Sequence, residues 1–217
     1  THFTSSSNLW FGQPRAGKTV TVTGTKGKST TSSLIAHLLR YAGFRVALGG
    51  NIGISLFDLP ESEADFWVIE VSSYQASDFD GHPDVAVLTN LYPEHLDWHG
   101  TVERYFQDKL KLFASLRDTG TAVLNAADPE TRARLWDTQA RKIPFLDPEG
   151  FYLADGWVCE RGKKWILASE LGLRGQHNKI NLCAALAAVR ALGVDPHRAL
   201  GGVASFKALP HRLELVG

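Results

Sequence analysis

Short β-branched runs alternate along this chain with stretches whose apolar residues recur at helical spacing. The runs Val20–Thr23, Arg45–Leu48, Trp67–Val71, Val85–Thr89 and Ala122–Leu124 are bounded by turn residues, as expected of strands buried on both faces. Helices are predicted over Ser29–Tyr41, where Leu34, Ile35, Leu38 and Leu39 share a stripe, and over Val102–Leu116, Pro129–Trp136, Asn178–Leu192 and Pro196–Ala204. This βαβ rhythm predicts an α/β fold, a mainly parallel sheet flanked by helices, with ligands at the carboxyl ends of the strands. From about Arg141 to Glu170 the pattern breaks into short polar and aromatic pieces with Gly and Pro between them, which predicts a small antiparallel excursion. Residues 1–17, rich in Ser and carrying Trp10 and Phe11, read as a linker or edge segment.

Composition narrows the function classes. The 217 residues are 44% hydrophobic and 21% charged, enough to bury one large core. Lys plus Arg equals Asp plus Glu at 23 each, so no global field draws nucleic acid or an anionic membrane. No apolar run has the length of a membrane span, and the N-terminal residues lack the pattern of a signal peptide, so a cytoplasmic protein is expected. Cys159 and Cys183 lack metal-site spacing and read as buried thiols rather than a disulfide.

The chemistry begins where the first strand ends. Thr23-Gly24-Thr25-Lys26-Gly27-Lys28-Ser29-Thr30 turns through two glycines into a helix. Glycine lets successive backbone N–H groups converge on one point, and the open first turn of the helix directs further N–H groups and its positive dipole end at the same place. Lys28 adds a point charge for terminal phosphates and Ser29 a hydroxyl for Mg²⁺. The longer P-loop pattern has another glycine where Val22 stands, so the match is to a G-x-x-G-K-[ST] form, and the sheet is read as P-loop-type.

Two further candidates follow strand ends. Glu70 closes an apolar strand and precedes Val71-Ser72-Ser73-Tyr74-Gln75; one carboxylate beside substrate phosphates suits Mg²⁺. In the loop Thr89–Gly100, His95 is a candidate metal ligand and Asp97 a residue to orient it or bind a cation. Zinc is not implied, because no further His or Cys has the spacing of a structural site.

Gly24-Thr25-Lys26-Gly27-Lys28-Ser29-Thr30, Gly49-Gly50-Asn51-Ile52-Gly53, Glu70-Val71-Ser72-Ser73-Tyr74-Gln75, Glu94-His95-Leu96-Asp97, His177-Asn178-Lys179-Ile180-Asn181 and Leu209-Pro210-His211-Arg212 resemble, in order and context, the motifs of the Mur ligases, ATP-dependent amide ligases of peptidoglycan synthesis. Six ordered motifs from about Lys18 to the end make the resemblance specific. The Glu-x-Ser-Ser-aromatic-Gln form is similar to the type that adds glutamate to UDP-N-acetylmuramoyl-L-alanine.

The resemblance implies roles. Gly24, Thr25, Lys26, Gly27, Lys28, Ser29 and Thr30 would hold the phosphates of ATP, with Asn51 near the γ-phosphate, Asn178 and Asn181 on the adenine side, and Arg212 near a domain hinge. Two Mg²⁺ ions would be held, the first by Ser29 and Glu70, the second with His95 and with Lys109, which matches the family lysine that is carbamylated. Lys28, Glu70, His95 and Lys109 would be the catalytic set, with Ser72 and Gln75 toward substrate. Without carbamylation, Lys109 would read as a surface lysine on a helix.

The chain departs from the family in places. Lys26 stands where asparagine is usual, and Ala76-Ser77 where Leu-Glu is common, which leaves the glutamate enantiomer open. The resemblance makes residues 18–210 the central ATP-binding domain and 211–217 the start of a connection to a further domain, with an N-terminal UDP-sugar domain before it. A monomer is expected, and these residues alone would bind nucleotide weakly without ligating. The alternatives are another Mur-type or a folylpolyglutamate or cyanophycin synthetase-like ligase, and a non-catalytic P-loop nucleotide-binding module.

Overall fold

Alternation inside each strand divides the core between two faces of one sheet. The computed structural model describes residues 4–52, 54–59, 63–169 and 175–207. Nine strands, β1 (Lys18–Thr23), β2 (Val46–Gly50), β3 (Phe66–Glu70), β4 (Val85–Leu88), β5 (Thr121–Asn125), β6 (Arg141–Phe145), β7 (Phe151–Ala154), β8 (Trp157–Glu160) and β9 (Lys163–Leu167), form a sheet of order β2-β3-β1-β4-β5-β6-β7-β8-β9. Pairing is parallel from β2 through β7 and antiparallel in β7-β8-β9. The antiparallel excursion therefore occupies the later part of the segment that predicts it. Its leading piece, β6, joins the parallel ladder beside β5.

The helices are α1 (Ser6–Phe11), α2 (Lys28–Tyr41), α3 (Ser73–Ala76), α4 (Leu96–His99), α5 (Val102–Ala114), α6 (Pro129–Leu135), α7 (Gln176–Ala191) and α8 (Gly201–Ser205). On one face Val20, Val22, Val68, Val85 and Val87 pack against α2 and α7; on the other Trp67, Ile69, Ala86 and Leu88 pack with Trp10 of α1 and Tyr105, Phe106, Leu112 and Phe113 of α5. Adjacent strand residues thus serve opposite faces.

The helix predicted over Pro196–Ala204 is broken instead. A single 3₁₀ turn, Pro196–Arg198, is capped by the Asp195 side chain, and α8 begins only at Gly201. Tyr41 lies against Gly201 and Gly202, where an added Cβ would come within 2.3 Å of its hydroxyl and 2.8 Å of its Cβ and ring, respectively. No helix among the described residues is long and apolar enough to cross a membrane.

Strand order positions the site. From β1 the chain builds outward to β3 and β2 on one side and to β4 and β5 on the other. The sheet reverses its order at β1, and the crevice beyond its carboxyl end is where such folds bind ligands. Register Val22↔Glu70 and Thr23↔Leu88 brings the ends of β3 and β4 level with the loop that follows β1.

Candidate active site

A cavity of about 910 Å³ opens at that crevice, lined by residues that include Thr25 through Thr30, Asn51, Glu70, His95, Asn178 and Asn181. The loop after β1 forms its floor. Gly24 has φ 143° and Gly27 φ 85°, and a Cβ would fall 1.9 Å from Thr89 Oγ1 at the first and 2.5 Å from Asn181 Oδ1 at the second. Backbone conformation and close packing both call for glycine at these positions. Gly27 is the N-cap of α2, and no side chain caps that first turn, so its N–H groups face the cavity as an anion cradle.

The segment after β4 clamps the loop from above. Thr25 N–H donates to Asn90 O at 3.0 Å and Lys26 N–H to Asn90 Oδ1 at 2.8 Å. Thr89 Oγ1 and Asn90 Nδ2 donate to Lys26 O at 2.7 and 3.0 Å. Lys28 Nζ donates to the Gly24 and Thr25 carbonyls at 3.1 Å each, which holds its charge over the cradle. Lys26 reaches the other way and pairs with Glu94, whose carboxyl is held below the ordinary range first by that contact.

Glu70 is not the water-exposed strand-end acid that a lone glutamate usually is. It is 1% exposed, and Asn51 Nδ2 donates to its Oε1 at 2.8 Å, while its Oε2 is buried without a hydrogen-bond partner. Register Gly50↔Glu70 explains why Asn51 arrives there. Among the described residues no three His, Cys, Asp or Glu side chains gather to hold a metal by themselves. Mg²⁺ asks for less, one or two carboxylates completed by water and phosphate oxygens. A buried, unpaired carboxylate oxygen on a residue that lines the same cavity as Ser29 fits that requirement.

His95 lies on the cavity wall in the left-handed region, φ 55°, with its Nε2 3.8 Å from Glu94 Oε2. Asp97 is exposed and is not part of the cavity lining. Lys109 departs most from its surface reading: it is 1% exposed, donates to Gly24 O at 2.9 Å and lies 4.9 Å from the Tyr105 ring centroid. Burial, and then the Lys28 charge, lower its pKa to about 7. The signal for this burial was in the sequence, since Lys109 falls on the same helical stripe as Tyr105, Phe106, Leu112 and Phe113.

Ser72 and Gln75 are engaged elsewhere. Gln75 N–H donates to Ser72 Oγ at 3.2 Å and Ser72 N–H to Gln75 Oε1 at 2.9 Å, a reciprocal cap on α3. Neither lines the cavity. Their spacing, Ser-x-x-Gln, is itself a capping-box pattern. Arg212 lies outside the described residues. Asn90, Tyr92, Glu94, Asn125 and His177 also line the cavity without having been assigned from sequence. Asn90 and Asn125, at the ends of β4 and β5, follow from the strand-end rule that singles out Glu70.

A mainly parallel sheet with a glycine loop and an uncapped helix N-terminus at its order reversal defines an α/β domain with a crevice suited to an anion. Residues 22–189 match the Mur ligase middle domain, and the chain belongs to that family. It is 45% identical over 229 residues to the UDP-N-acetylmuramoyl-L-alanine--L-glutamate ligase of Xanthomonas axonopodis pv. citri, covering 100% of this chain and 48% of that protein. With the ligase of the same name from a Micromonospora species it shares 44% identity over 219 residues, 97% of this chain and 47% of that one. The chain thus spans about half the length of the curated relatives it matches.

Among solved structures, the UDP-N-acetylmuramate:L-alanyl-gamma-D-glutamyl-meso-diaminopimelate ligase from Neisseria meningitides superposes with TM-score 0.73 at 25% identity, over 90% of this chain and 68% of that one. MurF from Acinetobacter baumannii superposes with TM-score 0.76 at 20% identity, over 91% of this chain and 48% of that one. The second likeness speaks to fold alone.

Proposed function

We propose that this chain is the nucleotide-binding part of a ligase that joins L-glutamate to UDP-N-acetylmuramoyl-L-alanine at the expense of ATP. One observation carries the reading: a glycine cradle, a lysine over it, and a buried carboxylate with an unpaired oxygen share one cavity. The names of the relatives support the substrate pair and the L enantiomer, which the sequence left open.

In this reading the substrate carboxylate attacks the γ-phosphorus, giving an acyl phosphate and ADP. The glutamate amine then adds to the acyl carbon, and inorganic phosphate leaves the tetrahedral intermediate. Such transfers depend on positioning and on charge stabilisation. The α2 N–H groups and Lys28 hold the terminal phosphates, and Lys26 adds a second cation. Ser29 and Glu70 would hold one Mg²⁺, and His95 would hold a second with Lys109 as its carbamate; the ions supply neutralisation of charge on the phosphoryl group. A lysine with pKa about 7 has the neutral amine that combines with CO₂, losing a proton to give an anionic oxygen donor. Asn178 and Asn181 line the same cavity where α7 begins and serve the adenine side.

ADP release by the full-length natural protein, measured with the muramoyl substrate and L- or D-glutamate, tests the proposal. Turnover should require both substrates and prefer the L form. Lys28→Ala and Glu70→Ala should each reduce it by at least about 100-fold, from loss of about 2.7–4 kcal/mol of transition-state stabilisation. Near-normal turnover in either removes the site assignment, and release indifferent to both substrates favours a P-loop module instead.

A further inference from the structure

We propose that Lys26 and Glu94 form a latch over the phosphate cradle. Bound triphosphate draws the Lys26 ammonium off Glu94, and this exchange sets a preference for nucleotides with terminal phosphates. The inference rests on the reading of the cavity as an ATP site, and goes beyond it in giving Glu94 a role.

Lys26 has a fixed backbone and an exposed side chain. Its N–H and C=O are both held by the segment after β4, at 2.7–3.0 Å. Its side chain is 71% exposed, against 29% for Glu94, and the two are ion-paired. Lys28, two positions on, is tied back to loop carbonyls at 3.1 Å. The pivot of Lys26 is thus anchored in the cradle, while its ammonium is parked on a carboxylate of the same cavity.

An exposed pair of this kind is weakly held, whereas a triphosphate offers several charged oxygens to one ammonium. The polyanion should therefore win the exchange. Glu94 does not lose every neighbour, because its Oε2 lies 3.8 Å from His95 Nε2. The pair has a second effect while it is closed: it neutralises a carboxylate at the mouth that would otherwise repel the incoming phosphates. Among the described residues, Lys26, Lys28, Glu70, Tyr92, Glu94, His95 and His177 are the charged or titratable side chains lining that cavity.

The test is equilibrium binding of ATP, ADP and AMP to the full-length natural protein by calorimetry, in the wild type, Lys26→Asn, Glu94→Gln and the double variant. Lys28→Ala serves as the control for the site itself. Lys26→Asn should weaken ATP about tenfold, the effect of losing one charge-assisted contact, and leave AMP nearly unchanged. Glu94→Gln should tighten ATP, and more so in the wild-type background than beside Lys26→Asn, because only the former has a pair to break. Equal weakening of ATP and AMP, or additive effects of the two substitutions, overturns the latch. If those effects are additive while Lys28→Ala abolishes binding, the latch alone fails. If wild type does not bind ATP, both the latch and the site reading fail.

Discussion

The two faces of the sheet are built from different materials. On one, Leu34, Ile35, Leu38 and Leu39 of α2 meet Leu182, Leu186 and Val189 of α7, all seven 0% exposed, over the buried strand valines. On the other, α5 brings Tyr105 and Phe106 to the core together with Asp108 and Lys109, each 1% exposed. Asp108 Oδ2 is met by His99 Nδ1 at 2.8 Å, so that charge has a partner. Lys109 has one carbonyl, Gly24 O, and an aromatic ring. A buried ammonium so thinly compensated lowers stability. The contrast teaches that the α2–α7 face supplies rigidity beneath the cradle, whereas the α5 face gives up stability to bring an amine to the loop backbone.

The largest effect should come from the apolar face. Leu186→Ala removes a fully buried side chain between α7 and the sheet and should cost about 2–5 kcal/mol in urea unfolding. A loss below 1 kcal/mol would mean that this face relaxes readily and that the contrast is overstated.

Lys109→Met should behave in the opposite way, with unchanged or greater stability at neutral pH and ligation lost. The sign follows from linkage. The folded pKa, about 7, lies below the ordinary 10.5, so between these values the unfolded chain binds the proton and the folded chain does not. Stability from this group therefore rises with pH across that window, by up to about 1.4 kcal/mol per unit, and is flat below it. Lys28, Glu94 and Glu70 are the charges that act on it. In CO₂-free buffer the wild type should gain on Lys109→Met as pH goes from 7 to 10. A difference that stays constant would show that the amine is charged in the folded protein.

The sheet and the cradle were legible because both are written in local sequence. Strands buried on two faces must be apolar throughout, as Trp67 to Ile69 and Val85 to Leu88 are, and a glycine pair before Lys-Ser after such a strand has few other uses. The helices α3 and α4 were not legible. With four residues each, they have no period to detect and depend on packing against α5. The strand β6 was hidden by its content, since Arg141, Lys142 and Pro144 suit a sheet interior poorly; it is exposed at its start and buried only at Phe145. In the site, residues next to strand ends could be found, whereas the Lys26–Glu94 pair joins positions 68 residues apart and has no signature in either segment. The reciprocal cap of Ser72 and Gln75 was visible as a pattern but competed with a functional reading of the same residues.

That competition yields the smallest expected effect and a further test of the α5 face, against which α3 is packed through Ala76. As a cap, Ser72 satisfies one N–H of α3, and Ser72→Ala should lower stability by about 1 kcal/mol, with Gln75→Leu costing less because its partner is the cap residue's own N–H. A purely structural cap leaves the KM of the full-length protein for the proposed muramoyl substrate unchanged in both variants once they are assayed well below their melting temperatures. If either residue also touches substrate, KM rises without a matching loss of stability, and Gln75→Leu becomes the more damaging of the two. The order of the two variants, read in stability and in KM, therefore separates a residue that shapes the α5 face from one that works on substrate.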